Sequence, residues 1–524
     1  MRWKILPQSS ADLEEQLLIN RSIKTTTEKE QFFHPKLISF EKDLDISGIA
    51  RVNNRIKEAI DKQELMVVFG DYDVDGICAS AILYKALTSI GAKVLPYIPH
   101  REKEGYGLSK LGLEFARDSG ASVVITVDNG ITALEQAKFA KELDLDLIIT
   151  DHHLPPAVKP DAYEIVHSTK MCGAAVAWCL IRNSITKTLA AELLQFVSLA
   201  TVCDLLPLIG LGRAFLIEGL TQLRITTNLG LLSLIDDCNL NVREIGSYEI
   251  GHIIGPRLNA MGRLEHAIDS LRLLCTKDSV KAKKLAKLLS ETNIARQQMT
   301  IEAVKEAKIL VDKNKKIHVL YSQSWSSGII GLIAGKVTEE FNSPAIAISQ
   351  GETISKGSAR SIDGINIVEV IRAHADILID VGGHPGAAGF SLFTKNLEIF
   401  KKRLEKQALD WQEQERVLEI DAKVDSKNLT RKLVETLEKF KPFGFGNCSP
   451  LFATAKMQLS DIRTVGEGKH LKGKADGIDF IAFGMGELKN ILQNGQQVDI
   501  AYNLELDTYN GFEKLQLKIK DLII

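Results

Sequence analysis

Three stretches of this sequence place carboxylates and imidazoles directly after short apolar runs. Leu65-Met-Val-Val-Phe69 leads into Gly70-Asp71-Tyr72-Asp73-Val74-Asp75-Gly76, Ser122-Val-Val-Ile-Thr-Val127 into Asp128-Asn129-Gly130, and Asp146-Leu-Ile-Ile-Thr150 into Asp151-His152-His153. A fourth, Thr201-Val-Cys-Asp204, sets a lone carboxylate among apolar helical residues, where it is costly unless paired or bound to a metal. Each feature alone reads blandly. The 71–75 segment is an ordinary solvated turn without the final Glu of an EF-hand, Asp128 is a helix cap, and a His pair is commonplace. Together they converge, and converging carboxylates repel unless a cation lies among them. Mixed Asp and His donors suit Mn²⁺ better than Mg²⁺. Two such ions about 3.5–4 Å apart, bridged by one carboxylate, serve displacement at phosphorus by acidifying a shared water and neutralising the phosphate. Asp128 is the expected bridge. His153, next to the ligand His152, is placed to reach a phosphate oxygen or the leaving group, so Asp73, Asp75, Asp128 and His153 are the expected catalytic set.

Strands alternating with helices must position these groups. The apolar runs at 65–69, 93–98, 122–127 and 146–150 alternate with helical periodicity at 76–90 and 132–142, which predicts a parallel sheet covered on both faces. In such a sheet the strands share one carboxyl-terminal edge, where open α/β folds hold ligands. Residues up to about Lys62 read as helical with polar turns such as Thr25-Thr26-Thr27. The chain reads as helical again from Ala174 to Asp237 and from Ala267 to Val311. A second α/β section runs from Ile317 to Lys406, and a polar helical linker from Gln407 to Arg416. The tail, with turn signals at Gly444, Gly446 and Asn510-Gly511 and alternation in Leu515-Gln-Leu-Lys-Ile-Lys, predicts antiparallel hairpins and a small β-barrel.

Composition bounds the reading. A chain of 524 residues with 45% hydrophobic and 25% charged residues is globular, about three to four domains long, which excludes disorder and collagen. Lys+Arg 65 against Asp+Glu 67 leaves a net charge of -2, so a polyanion partner must be met by a local basic surface. Seven cysteines without a Cys-x-x-Cys pair predict reduced thiols and a cytoplasmic protein. No signal peptide is expected, and runs such as 173–181 and 328–335 fall short of the roughly 20 residues that span a bilayer.

Asp71-Tyr-Asp73-Val-Asp75-Gly, Val127-Asp128-Asn-Gly, Asp151-His152-His153 and Thr201-Val-Cys-Asp204 resemble the four signature segments of the DHH phosphoesterase superfamily. Pro99-His-Arg101-Glu-Lys-Glu-Gly-Tyr106-Gly, Gly255-Pro-Arg257-Leu-Asn259-Ala-Met-Gly-Arg263, Ser358-Ala-Arg360-Ser, Gly382-Gly383-His384-Pro-Gly-Ala-Ala-Gly389 and Lys441-Pro-Phe-Gly-Phe-Gly-Asn447 narrow the resemblance to the RecJ single-strand-specific exonucleases, from about residue 40 to the end. It implies an α/β protein with a helical N-terminal segment (1–45), a DHH catalytic domain on a parallel sheet (46–215), a long helical connector (216–312), an α/β DHH-associated domain (313–406), a linker (407–418) and an OB-fold barrel (419–524).

The implied activity is 5′→3′ hydrolysis of single-stranded DNA to 5′-mononucleotides, in repair and recombination, with two Mn²⁺ or Mg²⁺ ions. By resemblance Asp71 and Asp73 serve one ion, Asp75, His152 and Asp204 the other, and Asp128 both. Arg101, Tyr106, Arg257, Asn259, Ser358 and Arg360 would hold the strand and its 5′ end, and Gly383 and His384 would face the metals. A single strand with a free 5′ end is the implied partner, together with single-strand-binding protein and a helicase, and no membrane.

Two positions depart from the pattern. Phe69 stands where many superfamily members have His, with Asp71 as the compensating ligand, and Ser326 stands where relatives have His after Trp325. Phe443 and Phe445 read equally as barrel core or as base-stacking platforms, and Lys469, Lys472 and Lys474 as a basic groove. The competing readings are a DHH phosphodiesterase of short oligonucleotides or cyclic dinucleotides, which needs no separate barrel, and a non-catalytic binding protein, which would not need filled ligand positions.

Overall fold

A computed structural model describes the chain except Tyr106, Glu413 and residues 508–512. The expected substrate contact Tyr106 and the Asn510-Gly511 turn thus lie outside the described residues. The apolar runs become strands Leu65–Phe69, Lys93–Tyr97, Ala121–Val127 and Asp146–Asp151, joined by Glu164–His167. All neighbouring pairs are parallel, and Leu65–Phe69 lies between Lys93–Tyr97 and Ala121–Val127. The chain therefore steps outward from its first strand to the second and then returns past the first. The carboxyl ends of Leu65–Phe69 and Ala121–Val127 flank the crevice where the order reverses, the point at which such sheets bind ligands.

The helix Val74–Ser89 is buried along most of its length because Gly173–Ile181 and Lys187–Cys203 cover it. An apolar face all round is what a core helix requires. The expected run from Ala267 to Val311 is two helices, Ile268–Cys275 and the 32-residue Ser279–Leu310. Asp278 makes the break by accepting the N–H groups of Val280 and Lys281.

The second sheet is mixed. His318–Ser322 and Ala345–Ser349 are parallel, and Ile354–Arg360, Ala387–Phe393 and Leu378–His384 follow antiparallel. The tail forms a barrel: Phe452–Val465 pairs with both His470–Ala475 and Gln497–Asp507, which closes the sheet. It is not made of antiparallel hairpins throughout, because Ile478–Ala482 and Lys514–Ile523 pair in parallel, as do Ala422–Lys423 and Phe452–Ala453.

The N-terminal segment departs from its helical reading. Arg2–Ile5 is a strand, parallel to Val417–Ile420. Thr25 is not part of a free turn but opens the helix Thr26–Phe33 through a reciprocal capping box with Glu28. Leu17, Leu18 and Phe32 share a core with Phe440, Phe452 and Tyr502 of the tail. Nor is 407–416 a helical linker, since the helix Leu397–Gln407 passes into a single turn, Ala408–Asp410, and the described residues between it and the strand Val417–Ile420 are irregular. Buried Arg213 joins the parts by donating to the carbonyls of Phe32, Phe440 and Lys441 at 2.7, 3.1 and 2.6 Å. Among the described residues, no helix is long and apolar enough to cross a membrane.

Candidate metal centre and nucleotide cleft

Each acidic segment is held by local structure that sequence pattern alone does not display. Gly70 must lack a side chain, as a Cβ there would meet Ser80 Oγ at 2.0 Å. Asp73 caps the helix Val74–Ser89, accepting the Gly76 N–H at 3.0 Å. Within the first turn, Asp75 accepts from Gly173 and Ala174, both N–H···O contacts 2.6 Å. These are the free amides at the start of the helix Gly173–Ile181, so the carboxylate is fixed and its charge is met by the positive helix end. Asp128 has φ 62, a left-handed backbone that Asp tolerates better than most side chains, and its N–H bonds the Thr150 carbonyl at 3.0 Å. A Cβ on Gly173 would lie 2.6 Å from both Asp128 Cβ and Oδ1. Asp204 follows the last turn of Lys187–Cys203, with its N–H on Ala200.

The donor atoms converge. Asp71, Asp73 and Asp128 form one triad, Asp75, His152 and Asp204 a second, and Asp128, His152 and His153 a third, each with its donor atoms within 4.8 Å of one another. His152 Nε2 is 3.1 Å from Asp128 Oδ1, 3.6 Å from Asp75 Oδ2 and 3.7 Å from Asp204 Oδ2. Asp71 Oδ1, Asp128 Oδ1 and His152 Nε2 are buried without a hydrogen-bond partner. Orphaned acceptors of this kind are expensive inside a protein, and this set fits divalent cations.

The electrostatics agree. Burial, then the charge of neighbouring carboxylates, pushes Asp71 and Asp128 well up, Asp75 to about 7 and Asp204 to about 8. Burial, then the neighbouring His153, lowers His152 to about 4, which favours the neutral imidazole that binding a cation requires.

Asp151 has a different duty. Its oxygens accept the backbone N–H of Ile131, His152 and His153, and His153 Nδ1 at 2.7 Å. Burial opposes charge on His153, but the Asp151 hydrogen bond and nearby carboxylates outweigh it and raise the imidazole to about 9.

Beside the cluster opens a cleft of about 1230 Å³ between the two α/β units. Arg101, His153, Ser358, Arg360, Gly383 and His384 line it. Arg101 stacks over Tyr72 at 5.0 Å, and Arg360 donates to Ser358 Oγ at 3.1 Å. Arg257 and Asn259, expected to hold substrate, do not line this cleft. Arg257 donates to Ser290 Oγ and the Ile253 carbonyl, and Asn259 Oδ1 accepts the Val74 N–H at 3.1 Å, which ties Asn259 to the end of the acidic loop. The bare Gly262 of the same segment lets its helix approach, since a Cβ there would sit 2.4 Å from the Tyr72 carbonyl. Ser326 Oγ accepts the Gly328 N–H and turns the chain.

Residue pattern alone missed Gly173, whose only signal is a glycine opening an alanine-rich run, and Arg263, Lys356 and Arg372 of the cleft wall. Arg263 stood in view, inside the same segment as Arg257. Burial, then the charges of Arg101, Arg296 and Arg360, lowers its guanidinium to about 10, the mark of a site that wants an anion.

Residues 65–201 match the DHH family N-terminal domain, 314–409 the DHHA1 domain and 420–521 the RecJ OB domain. The single-stranded-DNA-specific exonuclease RecJ of Bacillus subtilis is 34% identical over 97% of this chain and 67% of that protein. Its counterpart in Haemophilus influenzae is 31% identical over 90% of each. The crystal structure of RecJ in complex with Mn²⁺ from Thermus thermophilus superposes with a TM-score of 0.88 at 27% identity, covering 100% of this chain and 79% of that one. A structure of exonuclease RecJ bound to manganese covers 70% of this chain and 96% of its own, with a TM-score of 0.63 at 31% identity. Signature segments, sheet order and whole-chain similarity lead to one conclusion: the chain belongs to the RecJ family, built on the DHH phosphoesterase scaffold.

Proposed function

We propose that this chain hydrolyses single-stranded DNA from the 5′ end, releasing 5′-mononucleotides, with Mn²⁺ or Mg²⁺ held by the acidic cluster. The observation that carries the reading is the sharing of Asp128 between donor triads at the mouth of an arginine-lined cleft. Asp71, Asp73 and Asp128 would hold one cation, and Asp75, His152, Asp204 and Asp128 the other. When bound, the pair supplies an acidified water and neutralises charge on the phosphate.

The side chains do the rest. Gly173 and Ala174 amides orient Asp75, so the carboxylate needs no rearrangement during turnover. His153, kept protonated near neutral pH by Asp151, donates to a phosphate oxygen or the leaving oxygen. Arg101, Arg263 and Arg360 bind the 5′ terminal phosphate, for which planar guanidinium donors are well shaped. We place the reaction in the cytoplasm, and propose a helicase as the source of free strand and single-strand-binding protein as its coat.

A 5′-labelled single strand of about 50 nucleotides, incubated with Mn²⁺, is expected to release labelled mononucleotide first, and EDTA to stop it. Equal rates on blunt duplex would overturn strand specificity, and cleavage confined to dinucleotides would transfer the activity to short substrates.

Asp151→Asn tests the role of His153. The amide cannot hold the imidazolium as the carboxylate does, so kcat should fall about 10- to 100-fold. Calorimetric Mn²⁺ affinity should change little, because Asp151 spends its oxygens on the protein. An unaltered kcat would remove His153 from the mechanism.

A further inference from the structure

The strand Asp146–Asp151 ends at the acidic edge, and beyond His153 the chain runs without helix or strand from Leu154 to Tyr163. Pro155, Pro156 and Pro160 lie in that stretch and have no N–H to donate. Leu154 and Pro155, which follow His153 directly, are exposed, so burial does not hold the chain where it leaves the site. A segment of this kind does little to fix the residue from which it departs. His153 nevertheless needs a fixed ring, because proton transfer depends on a donor held within hydrogen-bond reach.

Asp151 holds one side of the residue, accepting the His153 N–H at 3.2 Å and the ring Nδ1 at 2.7 Å. The neighbouring strand holds the other side. His167 Nε2 lies 2.7 Å from the His153 carbonyl oxygen. A carbonyl only accepts, so Nε2 carries the hydrogen. His167 ends the strand Glu164–His167, whose parallel register sets it beside Asp151. The Ser168 N–H closes that end onto the Asp151 carbonyl at 3.3 Å. Both holds on His153 thus come from the sheet, and groups mounted on strands are placed more precisely than groups on loops.

His167 also lines a hollow of about 380 Å³ with Arg51, Lys159 and Tyr163. That hollow shares no wall residue with the arginine cleft. The route from His167 to the reaction therefore runs through His153 and not through the bound strand.

We propose that His167 is a positioning residue: its Nε2–H fixes the His153 carbonyl and so keeps the His153 ring aimed at the leaving oxygen. The proposal rests on the reading that His153 donates a proton during strand hydrolysis.

His167→Phe keeps a ring and removes the donor, whereas His167→Gln returns an N–H near the place of Nε2. On a long single strand with Mn²⁺, kcat of His167→Phe should fall about 10- to 30-fold, a part of what positioned proton transfer supplies. KM should stay the same, since the arginine cleft is untouched. His167→Gln should recover most of the lost kcat, and calorimetric Mn²⁺ affinity should be alike in all three proteins. The decisive comparison repeats His167→Phe in a His153→Ala background, where it should cost nothing further because the ring it positions is gone. If the phenylalanine cannot be seated in a folded protein, His167→Ala serves in both backgrounds. An equal loss in the two backgrounds, a glutamine variant as slow as the phenylalanine one, or weakened Mn²⁺ binding would overturn the proposal. A wild-type kcat in His153→Ala alone would instead end the reading of His153 as the proton donor, and this proposal with it.

Discussion

Asp128→Asn is expected to lose strand hydrolysis by about 10³-fold or more and yet, stripped of metal with EDTA, to melt above the wild type treated the same way. Asp128 is 1% exposed, and its Oδ1 has no hydrogen-bond partner. Burial, then the charges of Asp75, Asp73, Asp71 and Asp151, disfavours its ionised form. An amide keeps the shape and removes the charge, which should relieve about 1–3 kcal/mol in the metal-free protein. Adding Mn²⁺ should reverse the order of melting, because the wild type gains a shared ligand that the variant lacks. Thermal melts in EDTA and in Mn²⁺, run beside a nucleotide-release assay, make the comparison. A variant that melts lower in EDTA, or that digests DNA within about tenfold of the wild-type rate, would refute the shared-ligand assignment.

Gly173→Ala, a single added methyl, should be nearly as damaging. The new Cβ would lie 2.6 Å from Asp128 Oδ1 and 2.8 Å from Asp128 Cα, so backbone as well as side chain must move. The same residue gives Asp75 one of its two amide hydrogen bonds. Displacing two ligands by fractions of an ångström should lower kcat about 10²-fold, and overpacking should cost about 1–3 kcal/mol of stability. KM should move little, since the arginine cleft is untouched. Kinetics on a long single strand distinguish the cases, and a raised KM with normal kcat would show that Gly173 serves binding rather than ligand placement.

The two substitutions mark where local reasoning succeeds and where it stops. The strand Leu65–Phe69, the Asp-rich turn after it, Asp128, the His pair and Asp204 were legible because an apolar run ending in acids is a local pattern, and parallel strands carry such ends to one edge. The barrel was legible from alternation and turns, but the parallel pairing of Ile478–Ala482 with Lys514–Ile523 was not, since strand pairing is a long-range choice. The N-terminal strand escaped notice for the same reason: its partner, Val417–Ile420, lies at the other end of the chain.

Residue types by themselves determined that this protein carries an acidic metal centre on a parallel sheet and that its cysteines need form no scaffold. Tertiary structure decided which acids cluster with open donor atoms and which are saturated by the protein. Asp151 and Asp128 each end a run of apolar residues in the sequence, yet the first is saturated by amides and His153 while Oδ1 of the second, with no hydrogen-bond donor, faces His152 among the other carboxylates. Asn259 likewise meets the Val74 N–H, and Arg257 meets Ser290 and the Ile253 carbonyl, only because the helix Gly255–Leu264 settled where it did. The reason is physical: a carboxylate's or an amide's role follows from which donors reach it, and those donors come from segments that only folding brings within 3 Å or so.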